Sequence, residues 1–352
     1  MPQATINVYL DSNIIIKLGV PPQSPSLDRI NDLQRKGVIN VVTTSLTIDE
    51  IAKKYTSNDF KLISGIARSG FKKAFSKISD LELPFDNKQD LFEALLKENR
   101  KEVTKFHKTL SASVIDIDAV KPSSVFDQYA KGLGVFADGA KDGQVQDAFI
   151  FEALKLGLKE VGPIHIVSSD KDFEHLVRTR PKKFKLDATL EEFISRVDET
   201  ILDEEDIETW LEDNNRELER EFESELNGWA IQSMDVQEGY VEESTLNEIE
   251  FIDFQGFGPV KRNGNALIIG RTTVGALLSF THPNWDEAMY DSEDKVLIPF
   301  ENVQGDIESD LDIFFSMSVT MKKGKLHEID EVRFTDETKF IYQDFYDHSH
   351  YK

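Results

Sequence analysis

Two hydrophobic periods divide the chain. Up to about residue 200, short apolar runs alternate with stretches whose apolar residues recur every three or four positions, the pattern of strands between amphipathic helices. Ile6-Asn7-Val8-Tyr9-Leu10 is one such run and ends at Asp11. Val38-Ile39-Asn40-Val41-Val42 is a second, after a helical stretch over 27–36, and Ile164-His165-Ile166-Val167 is a third, leading into Ser168-Ser169-Asp170. Runs this continuously apolar read as strands buried on both faces. Residues 45–55 read as a helix, with Ser45 as the expected N-cap and Leu46, Ile48, Ile51, Ala52 and Tyr55 available for its buried face. Helices fill much of 58–110, and another starts near Asp142 or Gly143 and ends close to Gly157. This alternation predicts an α/β domain over 1–200, three layers α/β/α around a central, mostly parallel sheet.

The period then changes. Residues 202–226 hold 12 acidic residues against two bases, Arg216 and Arg220, with no Gly or Pro. A like-charged run is usually a solvated face, so 201–229 is expected to be an acidic helical connector. Beyond it, 249–254, 266–269, 276–280 and 314–321 have strand character, and Lys322-Lys323-Gly324 offers a hairpin turn. Gly256-Phe257-Gly258-Pro259 lacks the strand-then-helix context of a phosphate loop and reads as a turn. Residues 230–352 are therefore expected to form an acidic, mostly β or α+β, domain.

A chain of 352 residues is long for one core, which agrees with two domains. The absence of cysteine excludes disulfides and Cys-type zinc sites. No basic-then-apolar leader is visible, nor any apolar run near the roughly 18 residues needed to cross a bilayer. The expectation is a cytoplasmic protein with no membrane contact.

The net charge of −24 is unfavourable for a nucleic-acid partner, because phosphate contacts dominate such affinity. Its distribution removes the objection. Residues 1–200 carry 29 Lys+Arg against 29 Asp+Glu, whereas 201–352 carry 12 against 36, so the second half holds the whole excess. Direct nucleic-acid binding is not expected there; a protein partner is.

Candidate chemistry lies in the neutral half. Asp11 follows the first strand and Asp170 the third; Asp147 sits in the first turns of a helix, and Glu50 on the helix after the second strand. Ligands of open α/β sheets bind outside the carboxyl ends of the strands. Carboxylates that converge there repel one another by several kcal/mol at an effective dielectric near 20 and about 4 Å. Hard cations such as Mg²⁺ or Mn²⁺, which prefer oxygen ligands, relieve that repulsion and activate water for attack on phosphodiesters.

The order Leu10-Asp11-Ser12-Asn13, Ser45-Leu46-Thr47-Ile48-Asp49-Glu50, Lys141-Asp142-Gly143-Gln144-Val145-Gln146-Asp147-Ala148, then Val167-Ser168-Ser169-Asp170-Lys171-Asp172-Phe173 resembles the PIN-domain family. It is most similar to the larger bacterial PIN-like subgroup, whose third acidic motif has this Lys-Asp-x4-Asp-Ala form, and the resemblance spans about residues 5–195. It implies that Asp11, Glu50, Asp147 and Asp170 are catalytic and bind metal. It also implies that Asp142 and Asp172 are auxiliary acids of the metal site, and that Asn13 and Ser169 support it by hydrogen bonding; Lys141, with Lys171, is a candidate phosphate contact because it stands beside an acidic motif. The implied activity is cleavage of single-stranded RNA with one or two Mg²⁺ or Mn²⁺ ions, leaving 5′-phosphate and 3′-hydroxyl ends. Ser12 replaces the family's usual threonine and keeps its hydroxyl, and the insertion between Tyr55 and Phe136 exceeds the compact toxin form of the fold.

Blander readings stand beside these. Asp11 and Asp142 are good helix caps, and Glu50 fits an ordinary exposed helix acid. The cations Lys97, Arg100, Lys101, Lys105 and Lys108, and the cluster Arg178 to Lys183, read as solvated faces before they read as phosphate contacts. His348 and His350 lie at a terminus, where fraying is the ordinary expectation. Two other functions stay open: a catalytically inactive module that binds RNA or protein, and a nuclease acting on DNA.

Overall fold

The computed structural model describes residues 5–79, 83–136, 144–157, 163–232, 236–261, 264–291, 296–335 and 340–342. The chain forms two compact units, one of Met1–Gln23 with Leu27–Val197, the other of Ser24–Ser26 with Asp198–Lys352.

The strands of the first unit are β1 (Ile6–Leu10), β2 (Ile39–Thr44), β3 (Ser113–Ile115), β4 (Ile164–Val167) and β5 (Phe184–Asp187). They form one parallel sheet in the order β3-β2-β1-β4-β5. The helices between them are α1 (Ser12–Lys17), α2 (Pro25–Arg35), α3 (Ser45–Ile63), α4 (Ser69–Phe75), α5 (Lys88–Thr109), α6 (Pro122–Lys131), α7 (Gln144–Gly157), α8 (Lys171–Thr179) and α9 (Leu190–Val197).

Strand alternation assigns the two faces. Tyr9, Val42, Ile164, Ile166 and Phe184 pack against Ala148, Phe151 and Leu154 of α7. On the opposite face His165 meets Phe193 of α9 edge-on, with ring centroids 5.3 Å apart. The unit is thus the expected three-layer α/β/α fold. Two strands had no clear sequence signal, namely β3, which is short and largely exposed, and β5, whose apolar residues alternate with charge.

One cap differs from expectation. Thr44, not Ser45, caps α3: its backbone is still extended, and its hydroxyl accepts from the Thr47 amide at 3.1 Å. Ser45 is instead the first helical residue, and its hydroxyl accepts from the Ile117 amide at 3.3 Å.

The second unit opens with α10 (Glu204–Asp213) and α11 (Asn215–Leu226) and continues with β6 (Ala230–Gln232), β7 (Gly239–Phe257), β8 (Ala266–Pro283), β9 (Met289–Asp291), β10 (Val296–Ile298), β11 (Asn302–Lys322), β12 (Lys325–Phe334) and β13 (Phe340–Tyr342). Six of these strands form a mostly antiparallel sheet, β12-β11-β8-β7-β6-β13, while β9 and β10 pair separately. The β11–β12 hairpin turns at Lys323 and Gly324, both at positive φ (53° and 80°), as a two-residue turn of matching twist requires.

The segment 201–229 is more than the connector its charge suggested. Ile207, Trp210 and Leu211 of α10, with Leu218, Phe222 and Leu226 of α11, belong to the core of the second unit. Their acids occupy the outer side of an amphipathic pair. Gly256 and Phe257 likewise end strand β7, with Phe257 fully buried, where a turn had been expected. Along β11 the inward Ile307, Leu311 and Ile313 alternate with exposed Asp306, Glu308, Asp310 and Asp312, so part of the charge excess lies on the sheet's outer face.

Candidate functional site

From β1 the chain moves to β2 and β3 on one side of the sheet, then to β4 and β5 on the other, so the strand order reverses between β1 and β4. Such a reversal leaves a crevice outside the carboxyl ends of the two strands. Asp11 follows β1, and Ser168 to Asp170 follow β4.

Asp11 is only 5% exposed. Its Oδ1 accepts from the Ser12 amide at 2.8 Å, capping α1, and from the Tyr9 hydroxyl at 3.4 Å. Its Oδ2 accepts from the Ser168 hydroxyl at 2.6 Å. Capping and a place in the crevice, weighed as rival readings of Asp11, are both true of it. The Ser168 hydroxyl also accepts from the Asp170 amide at 3.0 Å and from the Asn13 side-chain amide at 3.4 Å. One buried hydroxyl therefore ties together the residues that follow β1 and β4. Behind Asp11, the hydroxyls of Tyr9 and Thr47 lie 2.9 Å apart, and those of Thr47 and Thr44 2.8 Å, which links the crevice to the first turn of α3. Glu50 stands one turn further along that helix.

On the β4 side, Asp170 caps α8 by accepting from the Asp172 amide at 2.9 Å. Asp172 in turn accepts from the Gln144 side chain at 3.2 Å, at the start of α7. Asp147, one turn into α7, completes the group: Asp147, Asp170 and Asp172 each offer a carboxylate oxygen, all within 4.8 Å of one another.

The electrostatics register this crowding. Burial pushes the Asp147 carboxyl up to about 7, with Asp11, Glu50, Asp170 and Asp172 each adding to the rise. Burial also raises Asp11 to about 6; hydrogen bonds from Ser168 and Ser12 pull it back, and Glu50 and Asp170 push it up again. Glu50 is raised by burial, opposed by a hydrogen bond from Ser12 and reinforced by Asp170. The same acids, after burial itself, hold the Tyr9 phenol protonated far above its ordinary range.

The structure thus gathers Asp11, Glu50, Asp147, Asp170 and Asp172 in one crevice, with Asn13 beside Asp11. Asp172, expected as an auxiliary, belongs with Asp147 and Asp170 to the group whose carboxylate oxygens lie within 4.8 Å of one another. The Ser169 hydroxyl accepts from the Lys17 ammonium at 3.0 Å, and the serine bound to Asp11 is its neighbour Ser168. Strand alternation was the available signal, since Ser168 is two residues beyond Ile166 and Asp11 two beyond Tyr9, both on the α7 face. Tyr9 and Thr47 carry no sequence signal of this role, since one lies in an apolar strand and the other at a helix start. Lys141 and Asp142 lie outside the described residues.

Whether the crevice suits a metal is decided by its donors. They are carboxylate oxygens, and the amide oxygen of Asn13 is buried with no hydrogen-bond partner among the described residues. An all-oxygen set fits a hard divalent cation. Carboxyl groups pushed up toward neutrality resist ionising together, and a divalent charge reverses that preference. The residues present fit such an ion.

Among the described residues no helix is long and apolar enough to cross a membrane. Residues 8–173 match the model of a family described as PIN domain, a nuclease-type fold that usually requires divalent metal ions. No curated protein and no solved structure matches the chain.

Proposed function

We propose that this protein, whose residues 8–173 match a PIN-domain model, is a Mg²⁺- or Mn²⁺-dependent endoribonuclease that hydrolyses phosphodiester bonds of single-stranded RNA. The observation that carries the reading is the approach of Asp147, Asp170 and Asp172 to within 4.8 Å beside Asp11 and Glu50. Asp147, Asp170 and Asp172 would hold the ion, and Asp11 and Glu50, the neighbouring acids, would complete its ligand set. When bound, such an ion lowers the pKa of its water and offsets the charge that develops on the phosphodiester. Ser168 fixes the Asp11 carboxylate, and Tyr9, kept as a phenol, donates to Asp11 and never competes as an anion.

The choice of RNA over DNA is supported by the resemblance of the four acidic motifs to those of PIN-domain ribonucleases. The acidic outer face of the second unit suits a basic protein partner better than a nucleic acid. Incubating the full chain with labelled single-stranded RNA, single-stranded DNA and mononucleotides, each with Mg²⁺ or Mn²⁺, tests the reading. Internal cleavage of RNA alone is expected; cleavage of DNA alone, or of no polymer, refutes it.

A further inference from the structure

Helix α5 packs along α3, burying Asn99, Val103 and His107, while the Asn99 side chain reaches Thr56 at 3.2 Å and Asp59 at 2.8 Å. The contacts Phe60 to Phe92 and Asp49 to Arg100 show that the two helices run antiparallel. The turned-out side of α5 is cationic. Lys97, Arg100, Lys101, Thr104, Lys105 and Lys108 line an open groove of about 390 Å³. Their spacing places a cation in each turn, every ~5.4 Å along the axis.

Two of these cations are held by acids on their flanks, Arg100 by Asp49 at 2.7 Å and Lys101 by Glu98 at 2.7 Å. Lys105 and Lys108 are exposed and have no ion pair among the described residues. A solvated helix face commonly alternates charge sign; this sector carries one sign over three turns. It is also anchored to the catalytic region, because Asp49, which grips Arg100, is the residue before Glu50.

We infer that this face of α5 is a track for the phosphate backbone of a single-stranded nucleic acid, which it leads to the acidic crevice. The inference rests on the nuclease reading for its direction and on α5 alone for its binding. Phosphates approaching carboxylates are repelled, so a substrate needs cations just outside the crevice, and a row at regular spacing provides them irrespective of base sequence.

The test uses the full chain carrying Asp147→Asn, so that RNA stays intact. Affinity for a fluorescent single-stranded RNA is measured against salt, with single-stranded DNA as a parallel arm. Lys97→Gln, Lys105→Gln and Lys108→Gln together should lower the slope of log affinity against log salt by about 2, at ~0.7 per lost phosphate contact. The three Lys→Arg changes should keep it. A control with Lys322→Gln, Lys323→Gln and Lys325→Gln removes equal charge from the second unit and should leave the slope alone. An unchanged slope in the α5 variant overturns the inference and leaves the row to an acidic protein; equal loss in the control overturns it in favour of net charge. RNA binding through this row without cleavage by the unmutated chain upholds the track and refutes the nuclease reading. Cleavage with no change in slope does the reverse.

Discussion

The Ser168 hydroxyl donates to Oδ2 of Asp11 across 2.6 Å, although the two residues are 157 positions apart in the chain. Asp11 is almost fully buried, and an ionised carboxylate there needs each of its donors. Ser168→Ala therefore leaves a buried oxygen unsatisfied and should cost about 1–3 kcal/mol at pH 8, where Asp11 is ionised. At pH 5, below its value of about 6, the cost should shrink. Denaturant unfolding at both pH values checks this. Cleavage should fall about 10- to 100-fold, as for other residues that orient metal ligands.

Asp147 and Asp11 hold protons in the folded, metal-free protein up to pH about 7 and about 6, whereas the unfolded chain releases them near 3.8. A folded state that binds more protons loses stability as pH rises across that window. In excess chelator, the first unit should thus weaken between pH 4 and 7 by more in the native sequence than in Asp147→Asn. Thermal melts across this range measure the difference; parallel curves for the two proteins would refute it.

Metal binding must displace those same protons. Affinity for Mn²⁺ should rise from pH 5.5 to pH 7.5 and level off above, and calorimetry at pH 6 in two buffers of different ionisation enthalpy should detect proton release. No release at pH 6 would mean that Asp147 and Asp11 are already ionised or are not ligands.

In the second unit, Phe222 of α11 meets Phe334 edge-on at 5.0 Å and lies 5.8 Å from Phe315. Phe222→Ala should cost about 3–5 kcal/mol, the usual loss for a fully buried aromatic side chain. A free acidic connector would lose almost nothing. Denaturant unfolding followed by tryptophan emission reads the difference, since Trp229 stacks edge-on against the same Phe334 at 5.7 Å.

What could be read from the sequence follows from where burial is complete. β1, β2 and β4 are buried on both faces and declare themselves as apolar runs ending at Asp11, Thr44 and the Ser168 to Asp170 segment. β3 and β5 lie at the sheet edges, where exposed positions accept Ser and Lys and the buried Asp187 is paired with His165 and Arg196, and the apolar signal fails. The acids were legible because strand ends and helix starts locate them. The hydrogen bonds that orient them were not, since Ser168 and Ser169 differ only in the side of the chain they face. In 202–226 the number of acids obscured an apolar stripe at helical spacing, from Ile207 to Leu226.

The central claim is that the acids at the carboxyl end of the first sheet hold a divalent ion and cut RNA with it. Its most direct test is cleavage of end-labelled single-stranded RNA by the full chain and by Asp147→Asn, titrated with Mg²⁺ or Mn²⁺ and with chelator. Asp147→Asn keeps the side chain's size while removing its charge. The expected result is cleavage by the native sequence that rises with metal and stops in chelator, and a loss of about 100-fold or more in the variant, with its fold intact by circular dichroism. Equal cleavage by both proteins, or cleavage that persists in excess chelator, would contradict it.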